Sequence, residues 1–329
     1  MIISRTPFRI SFVGGGSDLE AFYSKHTGAV LSTSINKYMY ISSHRYFHKD
    51  QIQVKYSNTE TVSSVDQLQH PLLREALRKA KINGGIEISS IADIPSGTGM
   101  GSSSSFTVGL LHNLYAINRK YATHDVLAKE ACEIEIEILK EPIGKQDQYA
   151  AAFGGLNIIS FHKDGNVKVE PLYIENEVYQ QLQDNLVMFY VGNQRKASEI
   201  LSEQKKNSSQ EEKFNALKQM VSYVYDMRDI LYSGRLNDFG KLLHENWILK
   251  QRLASKISNP EINEIYDAGL ANGATGGKLL GAGGGGFMLF YCEKSKQHKL
   301  TEALKKYETI DFSFERDGSK IIYFADETN

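Results

Sequence analysis

Eleven residues, Pro95-Ser96-Gly97-Thr98-Gly99-Met100-Gly101-Ser102-Ser103-Ser104-Ser105, constrain this chain more than any other segment. They follow a strand-like run over residues 86–94 and lead into an apolar helical run over 107–117. Glycines let a backbone turn tightly and come close to a ligand, and a helix start presents free N–H groups and a positive dipole end. Serine hydroxyls beside such a cradle can ligate a hard cation riding on phosphates. A flexible Gly/Ser linker has a similar composition, but it is not clamped between two apolar periodic segments. The segment therefore reads as a phosphate-binding loop between a strand and a helix.

The rest of the composition sets bounds. With 329 residues, 41% of them hydrophobic, the chain can bury the cores of one large or two ordinary domains. A net charge of −1 without a basic stripe argues against a nucleic-acid partner. The two cysteines, Cys132 and Cys292, are far apart, so neither a disulfide framework nor a structural zinc site is expected. The first residues lack a signal-peptide core and no apolar run reaches membrane-spanning length, so a soluble cytoplasmic protein with no membrane partner is expected.

Strand patterning over residues 9–13, 29–43, 86–94, 156–161 and 186–191 is interleaved with helical spacing over 66–81, 107–117, 125–139 and 148–153. Residues 203–213 are entirely polar, and a run of helices follows to about residue 270. Strands cluster early and helices late, which favours an α+β fold with an N-terminal domain over 1–185 and a C-terminal domain over 186–329.

Two further glycine clusters stand out. Gly14-Gly15-Gly16-Ser17-Asp18 closes a strand, and Asp18 sits where a helix cap is expected. Residues 276–286 formally contain GxGxxG, but a strand pattern follows where that fingerprint requires a helix. A Walker A loop fails as well, because Leu279 follows Gly277-Lys278 where Ser or Thr is needed. Among carboxylates, Glu133 and Glu137 share one face of a helix and Glu135 points elsewhere. Asp147 follows a Pro142 break and reads either as a helix cap or as a buried base. Phosphoryl transfer to a hydroxyl needs a carboxylate near that hydroxyl, a cation on the developing charge and a metal on the nucleotide. Asp147, Arg9 or Lys145, and the serines with a Glu could fill those roles.

Three blocks, residues 5–18, 95–105 and 277–287, occur in the order seen in the GHMP kinases, and the chain resembles that family over nearly its whole length. With Glu141-Pro142-Ile143-Gly144-Lys145-Gln146-Asp147-Gln148-Tyr149, the first block is most similar to the branch acting on the anomeric hydroxyl of D-glycero-D-manno-heptose 7-phosphate. The resemblance implies a two-domain fold, an N-terminal ribosomal protein S5 domain 2-like half and a C-terminal ferredoxin-like half, with ATP between them. It implies that Pro95, Gly97, Gly99, Met100, Gly101, Ser102, Ser103 and Ser104 hold the nucleotide, with Ser103 and Glu135 on Mg²⁺ and Glu137 as the alternative to Glu135. Asp147 corresponds to the catalytic acid and Arg9 to the cation beside it. Asp18, with Gly15, Gly16 and Ser17, corresponds to the sugar site, and Gly283 and Gly284 line its far end.

Gly15-Gly16 replaces a Glu-His of galactokinase-like members, which makes room near the sugar and argues against galactose. Arg195 and Lys196 are the expected cations for a substrate phosphate. The implied partners are ATP and a small sugar phosphate, and a homodimer is left open. The alternatives are another sugar 1-kinase of this fold, such as a fucokinase-like enzyme, or a non-catalytic sugar and nucleotide sensor.

Overall fold

Arg9 and Ser11 alternate with Phe8, Ile10 and Phe12, as a strand with one wet face would, yet residues 8–13 are buried on both faces. The reason is that the strand lies inside a layered fold, with helices against one side and further helices against the other. The computed structural model describes residues 1–192, 197–208 and 210–325. From the N-terminus its elements are β1 (Ile2–Val13), α1 (Glu20–Tyr23), β2 (Gly28–Arg45), β3 (Ile52–Lys55), β4 (Thr59–Val62), α2 (Pro71–Ala80), β5 (Ile86–Ala92), α3 (Ser102–Ile117), α4 (His124–Cys132) and α5 (Gln146–Phe153). They continue with β6 (Leu156–Phe161), β7 (Val167–Pro171), α6 (Asn176–Asp184), β8 (Leu186–Gly192), α7 (Ala197–Asn207), α8 (Glu211–Ser233), α9 (Leu236–Gln251) and α10 (Pro260–Ala271). Then come β9 (Ala274–Leu279), β10 (Gly286–Cys292), α11 (Gln297–Ala303), β11 (Glu308–Thr309), β12 (Phe314–Glu315) and β13 (Lys320–Phe324).

Two sheets result, giving a mixed α+β architecture. The first runs β13-β1-β2-β5-β3-β4, with β6 and β12 also pairing β2 and β7 pairing β6. The second is the antiparallel order β11-β8-β10-β9. The long β2 serves two neighbours in turn, β6 along its first half and β5 along its second. The last strands, β12 and β13, return to the first sheet, so no single cut in the chain separates the two sheets.

Three local expectations change. The helix expected over 66–81 starts only at Pro71, with a single 3-10 turn before it, because proline suits a first helical position. The helix expected over 125–139 ends as α4 and passes into a π-helical turn, Glu133–Ile138. The polar run over 203–213 ends α7 and begins α8, with Ser208 and Gln210 between the two helices. No described helix is long and apolar enough to cross a membrane.

Candidate active site

At the centre is an ion pair made by elements far apart in sequence. Gly144 and the turn after Pro142 start α5, which presents Asp147 in its first turn. Buried Arg9 on β1 grips that carboxylate with two hydrogen bonds, Nε to Oδ1 at 2.8 Å and Nη2 to Oδ2 at 2.9 Å. Its third nitrogen, Nη1, donates to the carbonyl oxygen of Gly99 at 2.7 Å, and its backbone N–H donates to that of Met100 at 3.3 Å. A buried guanidinium is tolerated only when its planar fork is matched by acceptors, and here each acceptor belongs to a different segment. One residue thus ties β1, the glycine loop and the acid together, leaving Asp147 about a quarter exposed to solvent.

The serine loop opens α3. Pro95, Ser96 and Gly97 are exposed, while Thr98 and Met100 are buried, Thr98 donating its hydroxyl to the Pro95 carbonyl at 2.9 Å. Gly101 takes φ +75° at the helix start, within van der Waals reach of Asp147. In the first turn, exposed Ser103 donates to Glu135 Oε1 at 2.6 Å and buried Ser104 to Oε2 at 2.9 Å. Gln148 Nε2 adds a third donor at 2.6 Å.

The wider π turn makes this possible, because it buries the neighbours Ile134 and Glu135 together. Glu133 is left to pair with Lys79 and Glu137 stays exposed. Burial pushes the Glu135 carboxyl up from its ordinary value, with the three donors partly opposing it. A hydroxyl and a buried carboxylate in direct contact at a helix N-terminus suit a hard divalent cation whose other ligands are phosphate and water. Glu135 meets that description, and Glu137 lies outside the cluster.

The first glycine loop supplies the other wall. Asp18 does not cap α1. Its Oδ1 accepts from the Gly16 N–H at 3.0 Å and its Oδ2 from the Gln146 N–H at 3.3 Å, so it caps α5 from outside. Its carboxyl is raised by burial and then by the nearby Asp147 charge. A small cleft of about 60 Å³ lies here, lined among others by Arg9, Gly16, Asp18, Asp147, Lys250 and Gly281.

The space expected at Gly16 for the sugar is taken, since a Cβ there would lie 2.0 Å from Gln204 Nε2. Gly15 is open, its nearest neighbour being Ser11 Oγ at 3.6 Å from such a Cβ. Ser17 is buried and exchanges hydrogen bonds with the Ala29 backbone. Ser102, half buried, and exposed Gly97 belong to the glycine loop and lie outside the cleft lining. Gly283 and Gly284 pack on Ile257, outside that lining, where Gly281 and Ala282 stand instead. Arg195 and Lys196 lie outside the described residues.

Sequence reasoning missed Lys250, Gln204 and Lys278. Lys250 Nζ donates to the Gly15 carbonyl at 3.3 Å and to Gln204 Oε1 at 3.2 Å, and burial drives it down to about 8. Lys278 Nζ reaches from β9 to the carbonyls of Ser11 at 2.6 Å and Phe12 at 3.1 Å. Both look like ordinary solvated lysines in sequence, and only their burial marks them. Gln148, the residue after Asp147, had the one available signal, its place beside the acid.

Comparison with known proteins agrees with this geometry. Residues 69–155 match the N-terminal domain of GHMP kinases and residues 227–309 the C-terminal domain. The chain is 29% identical, over 97% of its length and 98% of the relative's, to D-glycero-alpha-D-manno-heptose 7-phosphate kinase of Campylobacter jejuni subsp. jejuni serotype O:2. In fold it is similar to a D-glycero-D-manno-heptose 1-phosphate kinase from Bacteroides thetaiotaomicron (TM-score 0.82, 23% identity, 99% and 100% of the two chains). It is also similar to Streptococcus pneumoniae phosphomevalonate kinase in complex with phosphomevalonate and AMPPNP (TM-score 0.76, 15% identity, 96% and 100%).

Proposed function

Because this chain belongs to the GHMP kinase family and is an ATP-dependent sugar kinase, we propose that its acceptor is D-glycero-D-manno-heptose 7-phosphate, phosphorylated at the anomeric hydroxyl to the 1,7-bisphosphate. The observation that carries the reading is the Arg9–Asp147 pair, placed against Gly99–Gly101 at the mouth of a cleft. The near full-length likeness to a heptose 7-phosphate kinase supports the choice of sugar. The heptose names among the relatives differ in where they put the phosphate, and NMR of the product distinguishes those positions.

Asp147 accepts the proton of the acceptor hydroxyl as the oxygen forms its bond to the γ-phosphorus. The bond from that phosphorus to the bridging oxygen breaks and ADP leaves. Arg9 holds Asp147 in place and faces the negative charge that develops between donor and acceptor. The backbone of the glycine loop and the α3 N-terminus bind the nucleotide phosphates. Ser103 and Glu135 would hold Mg²⁺, which neutralises charge on those phosphates. Transfer is direct, and no side chain is phosphorylated on the way.

The test is ADP release from Mg·ATP across heptose 7-phosphate, unphosphorylated heptose, mannose 6-phosphate, galactose and fucose, followed by NMR of the product. Turnover confined to the 7-phosphate, with the new phosphate on the anomeric carbon, is the expected result. Preference for a free sugar would keep the kinase and discard this acceptor. Nucleotide binding without turnover on any sugar would favour a sensor.

A further inference from the structure

Behind the first glycine loop lies a group of buried donors, two of which have no acceptor among the described residues. Asn246 and Lys250, one turn apart on α9, face Gly14–Gly16, and Gln204 on α7 closes the group. Their amide orientations are set by what they accept. Asn246 Oδ1 takes the Gly14 N–H at 3.3 Å, and Gln204 Oε1 takes Lys250 Nζ at 3.2 Å. Each carboxamide therefore turns its NH₂ the other way, and both Asn246 Nδ2 and Gln204 Nε2 are buried without a partner among the described residues.

Lys250 spends two donors on neutral oxygens, and among the described residues no carboxylate lies within ion-pair distance of it. Asp18, the nearest acid in the cleft, has its oxygens engaged by Gly16 and Gln146. Arg9 is matched by Asp147, whereas Lys250 lines the cleft with one N–H unspent among the described residues. Asp18 attracts this ammonium only at longer range, and a buried ammonium that meets neutral oxygens alone at the edge of a cleft calls for an anion.

We propose that Lys250, held by Gln204, receives the phosphate that the acceptor already carries and so sets the preference for a phosphorylated sugar. The proposal rests on the acceptor reading above and names the residues that enforce it. Lys250 touches the phosphate, and Gln204 acts as a positioning residue that fixes the ammonium through its Oε1. Gly16 is needed for this arrangement, because any side chain there would displace the Gln204 carboxamide.

The deciding quantity is a ratio, kcat/KM on heptose 7-phosphate over kcat/KM on unphosphorylated heptose, measured for the wild type, Lys250→Met, Lys250→Arg and Gln204→Leu. Loss of one charge-assisted contact lowers this ratio about 10- to 100-fold in Lys250→Met. Lys250→Arg restores part of it, and Gln204→Leu shifts it in the same direction by less. A parallel loss on both sugars, or an unchanged ratio, overturns the proposal while the acceptor reading stands. A wild type inactive on the 7-phosphate overturns both. If Lys250→Met lacks a cooperative thermal transition, Gln204→Leu decides, and an unchanged ratio in it is equally fatal.

Discussion

Asp147 and Arg9 show how closely chemistry and position are coupled at single residues. The carboxylate is oriented by both oxygens, so removing its charge while keeping its shape isolates its part in proton transfer. Asp147→Asn is expected to lower kcat by about 10²–10⁴-fold with the nucleotide Kd nearly unchanged, read by steady-state kinetics beside calorimetric ATP titration. Near-normal turnover would remove Asp147 from the mechanism. Ser103→Ala takes away the exposed hydroxyl on Glu135. The Mg²⁺ concentration for half-maximal rate should rise in that variant at fixed ATP, and an unmoved Mg²⁺ curve would assign the ion elsewhere. At this scale a proline break drew attention to Asp147 and a serine run to Ser103, and the family resemblance chose Arg9 over Lys145, whereas Lys250 and Gln204 were missed, since nothing local distinguishes a lysine in a helix that will be buried.

Elements meet through backbone rather than side chains at the two later glycine loops. A Cβ on Gly281 would lie 2.4 Å from Gly99 Cα, and one on Gly286 would lie 2.3 Å from the Thr98 carbonyl oxygen. The β9–β10 connection thus seats directly on the phosphate loop, which is why residues 276–286 are glycine-rich without forming a dinucleotide fingerprint. Gly281 also sits at φ +76°, so Gly281→Ala combines overpacking with left-handed strain, a cost of about 2–4 kcal/mol. A lower urea midpoint together with weakened ATP binding is expected, and a variant with wild-type midpoint and affinity would show that the loops do not interlock. The π turn is a second element-level device. In an ordinary α-helix Glu133 and Glu137 would share the inner face, and the wider turn turns Glu135 inward.

Across the whole molecule, the chain's end stabilises its beginning. β13 pairs with β1, and Ser319 just before it lies between Thr6 of β1 at 2.8 Å and His112 of α3 at 3.0 Å. Burial lowers His112 from 6.5 to about 4, with the neighbouring His124 adding to the effect. Between those values the unfolded chain binds a proton that the folded one does not, so stability is full above pH 6.5 and falls progressively towards pH 4. The urea midpoint should drop over that window, and His112→Gln should flatten the drop; an equal slope in the variant would locate the acid sensitivity elsewhere. The strand–loop–helix around residues 95–105, the α+β composition and the three glycine blocks are readable in the chain alone, because turns, caps and periodicity are local properties of neighbouring residues. Only the tertiary structure decided that Glu135 rather than Glu137 meets the serines, that Asp18 caps α5, and that two lysines are buried around the first glycine loop. Those outcomes depend on which distant segments pack together, and burial, unlike periodicity, has no signature in the residues that undergo it.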